Sequence, residues 1–264
     1  PMPKLVQILV LSLLLGQTAQ ASDAFPGSAI VTSLQGAAQM KAPGTDSEPL
    51  ELHQSFAPEG SQISTDTEAS IFIVYSNSVA IALDAATVLD CEQFSQKTFS
   101  LDALESGREP SDSQLLLELQ AGRLLIASPR LSALSMLRID LPFGHVQLKG
   151  GVAAIKADST GLTIRAIEGN ITYYYPDQNG RAFLTAPALI RISPQSADRG
   201  QLIDLPESES ETGAPDSMGL AVKHASQRVL FKPSAVEGQA PEPMLVVRPE
   251  YFDQVSPRPY LFTD

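Results

Sequence analysis

The chain has 264 residues, a formal net charge of −12 at pH 7 and a sequence pI of about 4.7. An acidic protein is repelled by phosphate backbones and by anionic lipid headgroups, so nucleic acid and anionic membrane surfaces are poor candidate partners. Cys91 is the single cysteine, which excludes an intramolecular disulfide and a thiolate metal cluster. The fold must therefore be stabilised by an apolar core, which a chain of this length can build.

The first 21 residues have the features of a secretory signal peptide. Lys4 precedes an apolar run of eleven residues, 5–15, and a small-residue site follows at 19–21. This run is shorter than the roughly 20 apolar residues that a membrane-spanning helix needs. We therefore expect cleavage after Ala21, export to the periplasm or the cell surface, and no transmembrane segment after cleavage. Ser22 stands at the position where a lipoprotein would have a Cys.

Residues 28–193 consist of short apolar or alternating runs separated by Gly, Pro, Asn and Asp, without long helical periodicity. Such alternation is typical of strands with one buried face, as for Leu162, Ile164 and Ala166. It predicts an all-β domain over residues 22–193. A sandwich and a short solenoid both use strands of this length, so the sequence leaves these two architectures open. The predicted strands are 29–34, 69–75, 79–83, 114–119, 123–127, 137–141, 145–148, 152–156, 162–167, 170–175 and 189–192.

Two segments differ from this pattern. The stretch near 90–113 is polar and predicts a surface excursion or a short helix between two halves of the domain. Residues 194–264 contain nine of the 20 prolines and an acidic low-complexity piece at 206–215. Such a composition buries too little apolar surface to offset chain entropy, so it predicts a mostly irregular, extended or disordered tail. The sequence leaves open whether three short segments of that tail pack against the domain: 227–231, 244–248 and 251–252.

Several motifs follow one another in a fixed order. Gly60 precedes Ile63 and Thr65, the run 141–146 reads Leu-Pro-Phe-Gly-His-Val, and the run 168–171 reads Glu-Gly-Asn-Ile. In order and spacing these motifs resemble the FecR periplasmic domain family. In that family a glycine and an Ile-x-Thr step lead into alternating strands, a Pro-x-Gly-x-Val hairpin follows, and a Glu-Gly-x-Val strand closes the unit.

The resemblance covers about residues 28–193. Two departures indicate a divergent member: Leu141 stands where the family usually has Thr, and Gly151 stands where it usually has Thr after Gly150. The resemblance implies a β-rich fold and protein–protein contacts outside the cytoplasm. The best-known members add a cytoplasmic anti-sigma segment and a transmembrane helix. We expect neither here, so the resemblance does not imply the whole regulatory role.

The sequence contains no recognisable catalytic constellation. His53, His145 and His224 are far apart, and no Gly-x-Ser-x-Gly motif is present. Candidate carboxylates lie near predicted strand ends, but no motif pairs them across a cleft, as glycoside hydrolysis requires. We therefore predict that the chain is not an enzyme and has no catalytic residues, no cofactor and no metal site.

Tyr173, Tyr174 and Tyr175 form the candidate binding surface. Alternation places Tyr173 and Tyr175 on one face of their strand and Tyr174 on the other. Exposed tyrosines often contact proteins or glycans, whereas buried ones cap a core. We predict an exported, non-catalytic binding or scaffold module of the bacterial cell envelope with a protein partner, which an unpaired sheet edge would dock by strand addition. A carbohydrate-binding module and a sensor component of an envelope signalling system are the alternatives.

Overall fold

The fold consists almost entirely of β-strands, as predicted for the all-β class. The predicted signal peptide lies outside the part of the chain that the structure describes. The structure is a computed structural model, and it describes residues 24–101, 108–176, 180–193, 201–204, 214–234, 236 and 238–245.

The elements are numbered in chain order, with eighteen strands and one helix in the described residues. They are β1 Ala24–Pro26, β2 Ala29–Gln35, β3 Ala38–Lys41, β4 Ser47–Pro49, β5 Ser55–Phe56, β6 Ser61–Thr65, β7 Ser70–Tyr75, β8 Ala80–Leu83, β9 Val88–Lys97, β10 Ser113–Ser128, β11 Met136–Leu141, β12 Gly144–Asp158, β13 Gly161–Tyr174, β14 Arg181–Thr185, β15 Ala188–Ile192, β16 Gln201–Asp204, α1 Ala214–Gln227, β17 Val229–Lys232 and β18 Glu242–Leu245.

Strands β1 to β16 form one hydrogen-bonded sheet that folds back on itself into two layers. The front layer runs in the order β4, β3, β6, β9, β10, β11, β12, β13, β14, and β1 pairs with the end of β9. The back layer runs in the order β5, β2, β7, β8, β10, β12, β13, β15, β16. Strands β10, β12 and β13 therefore belong to both layers. Neighbouring strands are antiparallel except β10 and β11, which are parallel.

The three shared strands change layer at glycines. In β12, for example, residues 144–147 pair with β11 in the front layer, and residues 151–157 pair with β10 in the back layer. The bend between them lies at Gly150 and Gly151, where the register of β12 on β13 also shifts. Corresponding bends lie at Gly122 and Gly169, both with positive φ. Bends of this kind let strands switch between sheets at the corners of a sandwich.

One apolar core fills the space between the layers. On β10, Leu115 and Leu117 enter it from the front layer, and Leu124 and Ile126 enter it from the back layer. All four side chains are fully buried. Two sheet layers around a common core form a sandwich, so the structure favours the first of the two architectures that the sequence left open.

The back layer is buried on both faces along β2, β7, β8, β10 and β12. Its second face forms a separate apolar cluster that α1 and the β17–β18 hairpin cover through Val222, Val229 and Phe231. Burial on both faces explains why β8 and β7 are continuously apolar in the sequence. The sheet side of this cluster consists of Ile30, Val74, Ala80, Ala82, Leu125, Ala127, Val152 and Ala154.

Parts of both segments that differ from the strand pattern have regular structure. Strand β9 continues to Lys97, within the polar stretch, because Cys91, Phe94 and Gln96 still enter the core. Strand β16, α1 and the β17–β18 hairpin lie within the segment predicted to be a tail. The sequence did not predict α1. Strands β17 and β18 overlap 227–231 and 244–248, two of the tail segments whose packing the sequence left open.

Gly151 provides a direct test of the bends. Its φ is +121°, and a Cβ there would collide with the carbonyl oxygen of Glu168 on β13. We expect Gly151→Ala to lower the free energy of unfolding by about 3 kcal/mol, because backbone strain and steric overlap add together. Urea denaturation measures this change.

Gly44→Ala is the matched control, since Gly44 has a φ of +73° but open space where a Cβ would lie. We expect it to lower the free energy of unfolding by only about 1 kcal/mol, the cost of left-handed backbone for alanine. Equal effects of the two substitutions would contradict the proposed close contact between β12 and β13.

Candidate functional site

The three consecutive tyrosines lie on the faces that alternation predicted. Tyr173 is fully buried in the core, and its hydroxyl donates a hydrogen bond to the carbonyl oxygen of Phe143. The Tyr175 ring packs edge-on against Tyr173, with 5.1 Å between centroids. Tyr174 points to the outer face of the front layer and is half-buried. The structure therefore separates Tyr174 from the other two.

The outer face of β11 to β14 brings six side chains together, which we call the front surface. The His145 ring stacks on the Tyr174 ring, with 4.6 Å between centroids and 10° between planes. These two residues are direct cross-strand partners, and Asp140 and Arg181 are the next partners on either side. The six residues are Arg138, Asp140, His145, Tyr174, Arg181 and Phe183.

Two charged contacts flank the aromatic stack. On β11, the Arg138 guanidinium donates to Asp140 Oδ1 from Nε at 2.9 Å and from Nη2 at 2.6 Å. On β14, the Arg181 guanidinium carbon lies 5.0 Å from the centroid of the Phe183 ring. Arginine in this position is attracted by the electron-rich ring face. The front surface therefore combines aromatic area with fixed hydrogen-bond donors and acceptors.

His145 is the titratable group of this surface with a shifted pKa. Partial burial lowers the pKa of the imidazole, and the positive charge of Arg138 lowers it further, against the opposing effect of Asp140. The ring is therefore neutral at pH 7, which suits a parallel stack on a tyrosine.

The last strand of the front layer, β14, pairs only with β13 within the described residues. Beside this pairing, the Tyr175 amide donates to the Gly180 carbonyl at 3.2 Å, and the Ala186 amide donates to the Gly169 carbonyl at 3.0 Å. Because hydrogen bonding alternates along antiparallel strands, Ala182 also turns its backbone groups towards β13.

The same alternation turns the backbone N–H and C=O groups of Arg181, Phe183 and Thr185 away from β13. The side chains of these three residues are exposed, and Phe183 has 62% of its surface accessible. We call β14 with these outward groups the β14 edge. It borders the front surface and shares Arg181 and Phe183 with it.

Three acidic residues of the front layer form a row across neighbouring strands. Asp90, Glu118 and Asp140 are cross-strand neighbours on β9, β10 and β11. Partial burial raises the pKa of Glu118, and the nearby carboxylates of Asp90, Glu92 and Asp140 add to this effect. Among the described residues, no group of three His, Cys, Asp or Glu side chains is arranged to hold a metal ion. His53, in the turn between β4 and β5, and His224, on α1, are both exposed and lie outside this row.

Cys91 is buried in the core between the layers. Burial raises the pKa of the thiol to about 12, and the carboxylates of Glu59 and Glu92 contribute to the shift. The thiol is therefore protonated at neutral pH, which makes it a poor nucleophile.

Comparison with known proteins gives limited matches. No family model matches the chain, and no curated protein matches it either. Two crystal structures from Parabacteroides distasonis, each provisionally described as that of an anti-sigma factor, align with TM-scores of 0.39 and 0.40 and sequence identities of 15% and 13%. Each alignment covers 54% of this chain and 57% of the other, so this chain spans little more than half the length of either solved chain.

Within the described ranges, no helix has the length and apolar character needed to cross a bilayer.

Tyr173→Phe tests the role of the buried hydroxyl. We expect it to lower the free energy of unfolding by about 1–2 kcal/mol, because the carbonyl of Phe143 loses its donor. Tyr174→Phe is the control, since its side chain lies on the outer face, and we expect less than about 0.5 kcal/mol. Chemical denaturation of both variants measures the difference, and a larger loss for Tyr174→Phe would contradict the assignment of the two faces.

The lowered pKa of His145 predicts a pH dependence of stability. Below the unfolded-state pKa of about 6.5, the unfolded chain binds a proton that the folded chain resists, so the free energy of unfolding falls as the pH decreases. The fall ends once the pH passes the lower, folded-state pKa. Urea denaturation between pH 8 and pH 5.5 measures it. We expect His145→Gln to flatten this dependence, and an unchanged slope would contradict the assignment.

Proposed function

We propose that the chain is an exported, non-catalytic binding module of the bacterial cell envelope that docks an extended segment of a partner protein along the β14 edge. The observation that carries the proposal is the β14 edge itself, whose outward backbone groups lie beside exposed side chains of the same residues. An extended peptide can add to such an edge as a further strand, with affinity from backbone hydrogen bonds.

The end strands differ in how well they can accept another strand. Strand β5 has two residues, and β4 has three and ends in Pro49, which lacks a backbone N–H. Short strands and prolines limit pairing at edges. Strand β16, at the other end of the back layer, has four residues, whereas β14 has five and contains neither a proline nor a lysine. Its composition is therefore the more compatible with strand addition.

The front surface supplies side-chain contacts for the same partner. A strand added beside β14 would direct every second side chain towards Arg181 and Phe183, because side chains alternate between faces. Phe183 offers apolar area, and Arg181 offers donors for a carboxylate or carbonyl oxygen. We therefore expect the partner segment to combine β-branched or aromatic residues with an acidic residue.

The envelope location and a role in signalling are finer parts of the proposal. The predicted signal peptide supports export, and the motifs between Gly60 and Ile171 that resemble FecR domains support contacts with other envelope proteins. A sensor component that acts with a separate membrane protein is one form of such a module. Co-purification with a sigma-factor regulator would support that form.

Glycan binding is the second candidate, and the part of the front surface that lies away from β14 supports it. The stacked rings of His145 and Tyr174 lie beside the ion pair of Arg138 and Asp140, which combines aromatic area with fixed polar groups. Binding on a glycan array that Tyr174→Ala abolishes and Thr185→Pro leaves unchanged would favour this function over strand addition.

Phe183→Pro tests strand addition. Proline removes the outward N–H of position 183 and leaves the pairing groups of Ala182 and Leu184 in place. In a crosslinking pull-down from envelope extract with the full chain, we expect this variant to recover at least tenfold less of the partner that the unaltered chain retains. Quantitative mass spectrometry of that same partner measures the loss.

Two further variants distinguish backbone pairing from side-chain contact. Thr185→Pro removes the next outward N–H and should weaken recovery to a similar extent, whereas Phe183→Ala keeps the N–H and should weaken it less. Circular dichroism confirms that each variant is folded. Full recovery by both proline variants, or no specific partner for the unaltered chain, would contradict the proposal.

A further inference from the structure

Basic side chains form a row across the outer face of the back layer. Arg123 on β10 is the cross-strand partner of Lys156 on β12. On the next strand, β13, Thr163 pairs with Lys156 on one side and with Arg191 of β15 on the other. Arg165 follows Thr163 by two positions and therefore lies on the same face of β13. We call Arg123, Lys156, Arg165 and Arg191 the basic row.

The alternation of side chains turns the basic row away from the core. Leu124, which follows Arg123, and Ile190, which precedes Arg191, both lie in the core between the layers. Their neighbours along the strands must therefore point to the opposite face. Lys156 and Arg191 are exposed, and 42% of the Arg123 side chain is accessible. The charged groups of these residues can thus reach a ligand in solvent.

Helix α1 and the β17–β18 hairpin cover a different part of the same face. Helix α1 approaches the sheet at Gly219, where a Cβ would lie 2.8 Å from Val152 Cγ1. The apolar cluster beneath the helix and the hairpin includes Leu125 and Ala154, which are cross-strand partners next to the basic row. None of the four basic residues belongs to this cluster. The basic row therefore borders the covered area and remains an unpartnered part of the described sheet face.

The charge of this area has the opposite sign to that of the whole chain. Arg123 Nη1 donates to Asp84 Oδ2 at 3.0 Å, and Lys156 Nζ lies 2.8 Å from Asp158 Oδ2. None of the ion pairs between described residues involves Arg191. Four cations thus share this area with two carboxylates, in a chain whose formal net charge is −12. Exposed ion pairs stabilise a fold by at most about 1 kcal/mol, so stability alone does not account for this concentration of cations.

We propose that the basic row binds an acidic, extended segment of a partner protein. Three of its four residues are arginines, and a guanidinium group can bind a carboxylate through two parallel hydrogen bonds. From β10 to β15 the row crosses three inter-strand spacings, about 14 Å in all, which about four or five residues of extended chain span.

The overall charge of the protein favours a short ligand at this row. A net negative charge repels large anionic surfaces such as duplex nucleic acid or an anionic membrane, whereas a short acidic segment contacts only the basic row. The inference concerns the back layer and does not rest on the function proposed for the β14 edge.

A fluorescent peptide of eight residues with alternating glutamate and serine tests the proposal on the full chain. We expect fluorescence anisotropy to show binding that weakens about tenfold between 50 and 300 mM NaCl, because salt screens contacts between exposed charges. Lys156→Gln and Arg191→Gln should each weaken binding about fivefold, since each removes one charged contact. Absence of binding at 50 mM NaCl, or unaltered affinity in both variants, would overturn the proposal.

Lys41→Gln and Lys232→Gln are the matched controls. Each removes one exposed cation from another part of the molecule, Lys41 from β3 and Lys232 from β17, so each changes the net charge as the test variants do. We expect both to bind the peptide as the unaltered chain does, and circular dichroism confirms that all four variants are folded. Losses equal to that of Arg191→Gln would show attraction without a defined site and would contradict the proposal.

Two other anions test whether the ligand is an acidic peptide. Single-stranded oligothymidylate and vesicles of anionic phospholipid compete with the labelled peptide at equal concentrations of negative charge. We expect neither to displace it, because both are repelled by the acidic remainder of the protein. Displacement by either anion, together with tighter binding of that anion that Arg191→Gln abolishes, would assign the row to that anion and refute the acidic segment.

Discussion

A single apolar core between two layers constrains the rest of this fold, because three strands contribute to both layers. Each shared strand must direct side chains into the core from the front layer and then from the back layer, as Leu117 and Ile126 do on β10. The chain can do so only by bending, and the bends lie at glycines such as Gly151. The bends leave two different outer faces. The front one is polar and aromatic, and the back one is apolar where α1 covers it.

The two outer faces suggest two kinds of contact. The front surface ends at β14, a strand that pairs on one side within the described part of the chain, so its contacts depend on backbone groups and on Arg181 and Phe183. The back face is apolar and rich in alanine at its centre, so its contacts depend on close packing and on the ion pair of Glu168 with Lys223. An extended segment suits the first face, and a helix with a small contact residue suits the second.

Local periodicity explains what the sequence could predict. Alternation at Leu162, Ile164 and Ala166 gave the faces of β13, and the same rule separated Tyr174 from Tyr173 and Tyr175. Contacts between distant segments could not be predicted in this way. Helix α1 contains a proline and a glycine and becomes favourable only on the alanine-rich face of the back layer. Phe183 in β14 was not predicted as a site residue, although Arg181, Phe183 and Thr185 alternate there with Ala182 and Leu184.

Strand addition requires that the outer side of β14 is open, and amide hydrogen exchange of the free, full chain measures this residue by residue. We expect the amides of Ala182 and Leu184, which point to β13, to exchange at least tenfold more slowly than those of Arg181, Phe183 and Thr185. This alternation would establish an edge available to a partner strand. Equal protection of Phe183 and Ala182 would show that β14 is already paired on both sides, and it would contradict the account.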